Sequence, residues 1–168
     1  MSFNYKKRIR LKGFEYKGSY RYFVTICTLD KKPLFTDSAL VAWLIGLLRE
    51  QSKLFRFKVW AYCFMPDHLR LLIEGEHDDS DMRRFVSAYK QQAGFYYKKK
   101  TGLSLWQINY YEHILKRVEE TKGVAYYIFN NPVRKGLVAD FKDYAFFGRL
   151  SLTSCKCKIH KGSPYNTT

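Results

Sequence analysis

Acidic residues are scarce in this sequence. Its 168 residues include 15 Asp and Glu against 30 Lys and Arg, so the formal net charge at pH 7 is +15. A surface with so few carboxylates generates a strong positive field, and the usual partners of such a field are nucleic acids and anionic membrane surfaces. The shortage of acidic side chains therefore leaves two main classes of partner to separate.

Long hydrophobic runs are missing as well. The longest, ALVAWLIGLL at residues 39–48, is about half as long as the ~20 apolar residues that a membrane-spanning helix requires. It follows Asp37 and Ser38, which are typical of the N-terminal cap of a helix in a water-soluble protein. The opening MSFNYKKRIRLKG lacks the apolar core of a secretory signal peptide. We therefore expect nucleic acid as the partner and no membrane.

Cysteine is rare, with four residues in the chain. Cys27 and Cys63 lie in stretches typical of strands, and we expect small buried side chains in a reducing compartment. Cys155, Cys157 and His160 belong to the segment CKCKIH, but Cys-x-Cys is not the usual spacing of zinc ligands and no fourth ligand is nearby. This segment favours a solvated basic tail over a zinc site.

The remaining composition is that of a folded protein. Hydrophobic residues make up 46% of the chain and aromatic residues 18%, and the length suits a single core. We divide the chain into a basic N-terminal arm (1–19), one folded domain (20–150) and a basic, flexible tail (151–168). The arm interleaves basic and aromatic residues, a composition suited to contacting a phosphate backbone and stacking on bases.

The spacing of apolar residues predicts the order of elements in the domain. Strands are predicted at 20–29, 55–65, 68–75 and 105–115, helices at 37–53, 79–100 and 119–131, and a short last strand within 143–152. The order strand, helix, strand, strand, helix, strand, followed by an extra helix, is that of a ferredoxin-like α+β sandwich, with helices on one face of an antiparallel sheet. The open face of such a sheet is a common platform for nucleic acid.

Two pairs of polar residues stand out from this apolar background. His68 and Arg70 are two apart on a predicted strand, so their side chains project from the same face. Tyr127 and Asn131 are four apart on the last predicted helix, so they lie one turn above each other. From spacing alone, a structural histidine and a packing tyrosine are the commoner explanations.

Several segments carry a more specific signal when they are taken together and in order. They are RIRLKGFEY, YFVTICT, AYCFMPDHLRLLIEG, LWQINYYEHIL, YYIFNNPVRKGLV and DYAFFGRL. With these segments the chain resembles the single-tyrosine HUH transposases, most closely their REP-associated branch, over nearly its whole length. An RNA-binding domain of the same fold is a distant alternative, because FFGRL is not the motif of an RNA-recognition strand.

The resemblance implies a metal-dependent endonuclease and strand transferase that cuts and rejoins single-stranded DNA next to a hairpin. A tyrosine attacks the scissile phosphate, which gives a 5′-phosphotyrosine and a free 3′-hydroxyl. In the family a divalent cation (Mg²⁺ or Mn²⁺) is held by two histidines spaced His-x-His and by an oxygen one helical turn after the tyrosine. On this sequence the resemblance makes Tyr127 the nucleophile and His68 and Asn131 the metal ligands.

Arg70 departs from that pattern, because it occupies the position of the second histidine. A guanidinium group has no lone pair for coordination and stays charged, so Arg70 cannot ligate a cation and should repel one. The cation is therefore expected to be weakly held or absent. Two interpretations stay open: Arg70 pairs with a phosphate oxygen and cleavage persists, or the chain is a hairpin-binding protein that no longer cleaves.

Other basic residues are candidates for contact with DNA besides Arg70. Arg134 and Lys135 follow the candidate nucleophile and suit a phosphate clamp, whereas the helix dipole alone also explains Lys98 and Lys99 at a helix end. The arm adds a basic set comprising Lys6, Lys7, Arg8, Arg10 and Lys12. We expect single-stranded or hairpin DNA as the partner, a location in the bacterial cytoplasm at the nucleoid, and a monomer in preference to a homodimer.

Overall fold

The computed structural model describes residues 13–117 and 120–150. Within these ranges, five strands form one antiparallel sheet in the order β4-β1-β3-β2-β5. The elements are β1 (Arg21–Cys27), α1 (Ser38–Leu54), β2 (Phe57–Met65), β3 (His68–Gly75), α2 (Met82–Thr101), β4 (Tyr111–Leu115), α3 (Glu120–Phe129), α4 (Asn131–Arg134) and β5 (Phe147–Leu150). Their order agrees with the prediction, and the ferredoxin-like α+β class is confirmed.

The two helices of the predicted sandwich pack on one face of the sheet. Alternate residues of β1 and β3 supply that face, among them Val24 and Leu71, which are fully buried against α1 and α2. Each helix begins where the sequence provides a cap: Asp37 accepts hydrogen bonds from two amides of α1, and Asp81 accepts one from α2. The apolar alternation along the strands thus determines which face these helices cover.

The additional helix α3 packs on the opposite face, where it covers only part of the sheet. Ile128 of α3 is fully buried in a second, smaller core with Cys63 of β2 and Leu72 of β3. Cys63 is buried as predicted, whereas Cys27 at the end of β1 is half-buried. The part of this face near β4 and the ends of β1 and β3 is left open as a groove.

The last predicted helix, 119–131, is divided in the structure. α3 ends at Phe129, and the short α4 starts at Asn131. Pro132, in the first turn of α4, has no N–H to donate to the carbonyl of Ile128, so the first helix cannot continue unchanged. Gly136 follows with φ of +71°, a left-handed conformation that ends α4.

Part of the predicted N-terminal arm lies within the described residues and is anchored. Tyr16 is buried, and its carbonyl accepts a 2.9 Å hydrogen bond from the amide of Met82 at the start of α2. The amide of Gly18 donates to the carbonyl of Ser80 over 3.0 Å. The remaining arm residues, with Lys6, Lys7, Arg8, Arg10 and Lys12, and the tail 151–168 with its CKCKIH segment lie outside the described residues, so the predictions for them stay predictions.

Candidate functional site

Arg70 is the centre of the candidate site. It lies on the middle strand β3, where it pairs with Thr25 of β1 and Cys63 of β2, and only 7% of it is exposed. A buried charge is costly unless it is well paired. Its guanidinium carbon lies 5.1 Å from the centroid of the Tyr127 ring and 5.9 Å from that of Phe23, and its Nε donates a 3.2 Å hydrogen bond to Nε2 of His68.

His68 is fixed in one tautomer by its two neighbours. Nδ1 lies 2.6 Å from Oδ1 of Asp67 and acts as the donor, while Nε2 accepts from Arg70. Burial lowers the pKa of His68 below its ordinary value, the charge of Arg70 acts in the same direction, and the hydrogen bond to Asp67 opposes both. The ring is therefore neutral at physiological pH, and its one free lone pair is directed at Arg70.

Asp67 is itself held in place by the loop after β1. The backbone amide of Thr28 donates to the carbonyl of Asp67 over 2.9 Å, and the Thr28 hydroxyl shares its proton between that oxygen, at 3.0 Å, and the carbonyl of Lys32, at 2.7 Å. These bonds fix the turn between β2 and β3 and so orient the Asp67 carboxylate toward His68. The sequence interpretation treated Pro66 and Asp67 only as a turn, although an acidic residue next to a candidate histidine is a recognisable signal.

Tyr127 lies on α3 with its ring against the sheet and its side chain half-buried. Its ring meets that of Phe23 edge-on, with 6.3 Å between centroids, and the guanidinium carbon of Arg134 lies 4.4 Å from the Tyr127 centroid. Burial alone would raise the pKa of the phenol, but hydrogen bonds from Arg134 and Arg70 and the charges of both groups outweigh it, so the pKa is lowered. Tyr127, Arg70, Arg134 and His68 thus form one connected cluster.

Asn131 is the metal ligand that the sequence predicted on the last helix. It starts α4, is 1% exposed, and its Nδ2 has no hydrogen-bond partner in the described part of the chain. The break before α4 means that Tyr127 and Asn131 no longer belong to one continuous helix, which the four-residue spacing assumed. Its role as a ligand therefore remains a prediction.

The side chains do not fit a site for Mg²⁺ or Mn²⁺. Within residues 13–117 and 120–150, no group of three or more His, Cys, Asp and Glu is arranged to hold a metal ion. The Nε2 lone pair that His68 would offer a cation already accepts a hydrogen bond from Arg70, and a cation there would lie next to a guanidinium charge. The small number of candidate ligands and the positive charge of Arg70 both argue against a bound cation.

An open groove of about 2060 Å³ begins at this cluster and follows the edge strand β4. Arg70 and His68 lie in its wall, and the exposed lysines Lys31, Lys116 and Lys135 line it. Aromatic residues line it as well, namely Phe14, Tyr16, Tyr20, Tyr110 and Tyr111, of which Tyr16 is buried. A cationic groove with aromatic platforms is the arrangement that single-stranded nucleic acid requires. By contrast, Lys98 and Lys99 lie in the last turn of α2 and do not line the groove.

Thr25 is a residue of the site that the sequence interpretation missed. It lies directly opposite Arg70 on β1, lines the groove, and is 3% exposed. Its Oγ1 has no hydrogen-bond partner in the described part of the chain. The alternation of β1 would have placed Thr25 on the same face as Phe23, but only the strand register brings it beside Arg70.

Fold and site together define an α+β domain in which a tyrosine is held between two arginines, one of which lines a basic groove. A profile of the family described as "Transposase IS200 like" matches residues 16–131. The chain belongs to this family of IS200-like transposases.

Individual relatives agree with this assignment. A Haemophilus influenzae protein provisionally described as a REP-associated tyrosine transposase is 26% identical over 137 residues, which cover 74% of this chain and 77% of that protein. The REP-associated tyrosine transposase of Escherichia coli K12 is 29% identical over 94 residues, or 54% of this chain and 53% of that protein. The resemblance to the REP-associated branch is thereby confirmed.

A solved structure supports the fold independently. The structure of a REP-associated tyrosine transposase bound to a REP hairpin matches with a TM-score of 0.68 at 21% identity, covering 83% of this chain and 82% of that one.

Separately, no helix within the described ranges is long and apolar enough to cross a membrane.

Proposed function

We propose that this chain is a transposase-like protein that binds single-stranded hairpin DNA of the REP type and cleaves and rejoins it through a 5′-phosphotyrosine at Tyr127. The observation that carries the proposal is the half-buried phenol of Tyr127, which is held by the guanidinium groups of Arg134 and of Arg70, the latter a residue that lines the groove. The H. influenzae and E. coli relatives and the hairpin-bound structural neighbour support the substrate class.

The chemistry follows from the position of the charges. The Tyr127 oxygen loses its proton to water and attacks the phosphorus, the bond from phosphorus to the 3′ oxygen breaks, and that oxygen takes a proton from water. Because charge develops on the phosphate oxygens in this step, preorganised guanidinium donors beside the phenol lower the barrier. The new phosphotyrosine ester conserves the bond, so that a 3′-hydroxyl can reverse the step and rejoin the strand.

DNA binding is the broader part of the proposal. Lys31, Lys116 and Lys135 would contact backbone phosphates along the groove, and exposed aromatic residues of its lining such as Tyr20 would stack on unpaired bases. The arm, with Lys6 to Lys12, would extend this surface. The substrate would place the protein at the nucleoid of a bacterial cytoplasm, and a monomer is sufficient for a site whose cluster comes from one chain.

A second candidate function is binding without cleavage. The hydrogen bond from Arg70 to His68 favours it, because this bond occupies the histidine lone pair on which a metal-dependent relative would depend. In that case the groove would still bind hairpin DNA, while Tyr127 would serve only as part of the phosphate-binding surface.

One experiment separates these two functions. The chain is incubated with a labelled pool of single strands that share one stable hairpin and carry randomised flanks, and covalent adducts are resolved on a denaturing gel. We expect a shifted protein–DNA band that is lost in Tyr127→Phe and kept in Tyr126→Phe, whose target is the exposed neighbouring tyrosine. Hairpin binding without any band would favour the binding protein, and failure to bind any member of the pool would contradict both.

A further inference from the structure

We infer that Arg70 and Arg134 together hold the scissile phosphate in this chain, and that its reaction needs no divalent cation. The inference rests on the proposed function, which it deepens by assigning the electrostatic work of the site to protein side chains. The family pattern implies a metal-binding histidine at the position of Arg70 on β3, and the inference replaces that role with phosphate binding.

Arg70 repels a cation at this position and itself supplies positive charge there. Its Nε–H is used by His68, which leaves the other guanidinium N–H groups for Tyr127 and for an incoming phosphate. Its position on the middle strand, with 7% exposure, fixes the group before DNA arrives. A fixed, weakly hydrated cation that donates two parallel hydrogen bonds matches the geometry of a phosphate.

Arg134 supplies a second positive charge at the same phenol. Its guanidinium carbon lies 4.4 Å from the centroid of the Tyr127 ring, compared with 5.1 Å for Arg70. Arg134 is exposed and reaches the ring from α4, whereas Arg70 reaches it from the sheet. The two side chains therefore approach one phenol from two elements, so a phosphate next to Tyr127 would meet both charges. Together they supply the two positive charges that a divalent cation would have brought.

Thr25 adds a hydroxyl group next to Arg70. Thr25 is the cross-strand neighbour of Arg70, is buried, and its hydroxyl has no partner within the described residues. A buried hydroxyl without a partner costs free energy, which a phosphate oxygen in the groove would recover.

The balance of the step is the same as in the proposed function and requires no further reactant. The phenol proton goes to water, the ester bond to the tyrosine forms as the bond to the 3′ oxygen breaks, and water protonates that oxygen. Arg70 and Arg134 stay protonated throughout, because guanidinium groups do not titrate in this range. Chelation should therefore leave the reaction intact.

The test measures adduct formation and metal binding side by side. Wild type, Arg70→His, Arg134→Ala and Arg84→Ala are incubated with the hairpin pool in EDTA or in Mn²⁺, and Mn²⁺ binding is followed by electron paramagnetic resonance without DNA. Arg84 is the matched control, because it is an exposed arginine on α2, which packs on the other face of the sheet. Arg134 is exposed as well, so its variant should fold.

We expect equal adduct from wild type in EDTA and in Mn²⁺, and no Mn²⁺ binding. Arg134→Ala should lose about tenfold or more of the adduct, in line with a lost hydrogen bond between charged groups, and Arg84→Ala should lose none. Arg70→His should bind Mn²⁺ and form adduct only when Mn²⁺ is present.

Three results would overturn the inference. Loss of the wild-type adduct in EDTA with recovery in Mn²⁺ would contradict it but leave the proposed cleavage intact. An adduct from Arg70→His with Mn²⁺ and none from wild type would contradict it in favour of the binding protein. Retained hairpin binding with no adduct from either protein would contradict both the inference and the cleavage.

Discussion

The Nε–H of Arg70 donates a 3.2 Å hydrogen bond to Nε2 of His68, two residues earlier on β3. The strand period of two brings these side chains to one face, and Asp67 on the other side of the ring completes a fixed chain from carboxylate to imidazole to guanidinium. The position at which the resemblance predicts a second metal ligand is thus occupied by a buried guanidinium group. His68 thus orients Arg70 by accepting its hydrogen bond, and the guanidinium group of Arg70 contacts the ring of Tyr127.

The salt dependence of DNA binding should show which lysines contact the backbone. Lys135 lines the groove, so Lys135→Gln should reduce the slope of log affinity against log salt concentration by up to about 0.7, the value for one contact to a single strand. Lys98 and Lys99 do not line it, and their joint replacement by Gln should change the slope less. Fluorescence anisotropy with a labelled hairpin at several NaCl concentrations measures both, and a larger effect from the α2 pair would contradict the groove as the main path of the strand.

The phenol of Tyr127 should ionise at a lower pH than an ordinary tyrosine. Its burial opposes ionisation, but Arg134 and Arg70 outweigh burial and lower its pKa. Arg134→Gln removes the guanidinium group that donates a hydrogen bond to this phenol, and it should move the pKa of Tyr127 back upward. The near-ultraviolet absorbance of phenolate, taken as the difference between each protein and its Tyr127→Phe partner, reports this titration, and an unchanged curve in Arg134→Gln would show that Arg134 does not act on the phenol.

Alkaline pH should destabilise the fold through its buried tyrosines. Burial raises the pKa of Tyr62 to about 12, whereas the unfolded value is about 10. The unfolded chain therefore releases this proton first, so stability is complete below about pH 10 and falls as the pH rises toward the folded value, by at most about 1.4 kcal/mol per pH unit for one proton. Urea unfolding between about pH 8 and 11 should show a shallower loss for Tyr62→Phe than for wild type, while Tyr126→Phe, at an exposed position, should follow wild type.

Gly75 should tolerate no side chain. A Cβ at this position would overlap with the carbonyl oxygen of Gly18, which belongs to the anchored N-terminal segment. Gly75→Ala should cost about 1–3 kcal/mol of unfolding free energy, because backbone cannot move aside as a flexible side chain can. Gly46→Ala, in α1 with nothing within 4 Å of its Cβ, should instead stabilise by about 0.5–1 kcal/mol. Urea denaturation measures both, and an equal response of the two variants would contradict the close approach of these segments.

Local patterns were sufficient for most of the fold. Asp37 predicted the start of α1, the alternation in 55–65 predicted β2, and the lysines with Gly102 predicted the end of α2. Each of these features depends on neighbours within a few residues, which the sequence displays directly. The break between Phe129 and Asn131 was less visible, because the helical spacing continues across it and only Pro132 signals the change.

The candidate site, too, could be predicted from the sequence only in part. Strand alternation placed His68 and Arg70 on one face, and the resemblance identified Tyr127 and Asn131. Neither could show that Thr25 lies opposite Arg70, because cross-strand register depends on residues about 45 positions apart in the chain.

The sequence by itself determined the order of elements, the positive charge and the chemical identity of Arg70, which no folding can turn into a metal ligand. Only the tertiary structure decided what that arginine does instead. Its Nε–H donates a hydrogen bond to His68 on the same strand, and its guanidinium group lies near the ring of Tyr127 on α3. Arg134 on α4 contacts the same ring. The physical reason is that a residue's type fixes which bonds it is able to make, whereas packing between distant segments selects the partners with which it makes them.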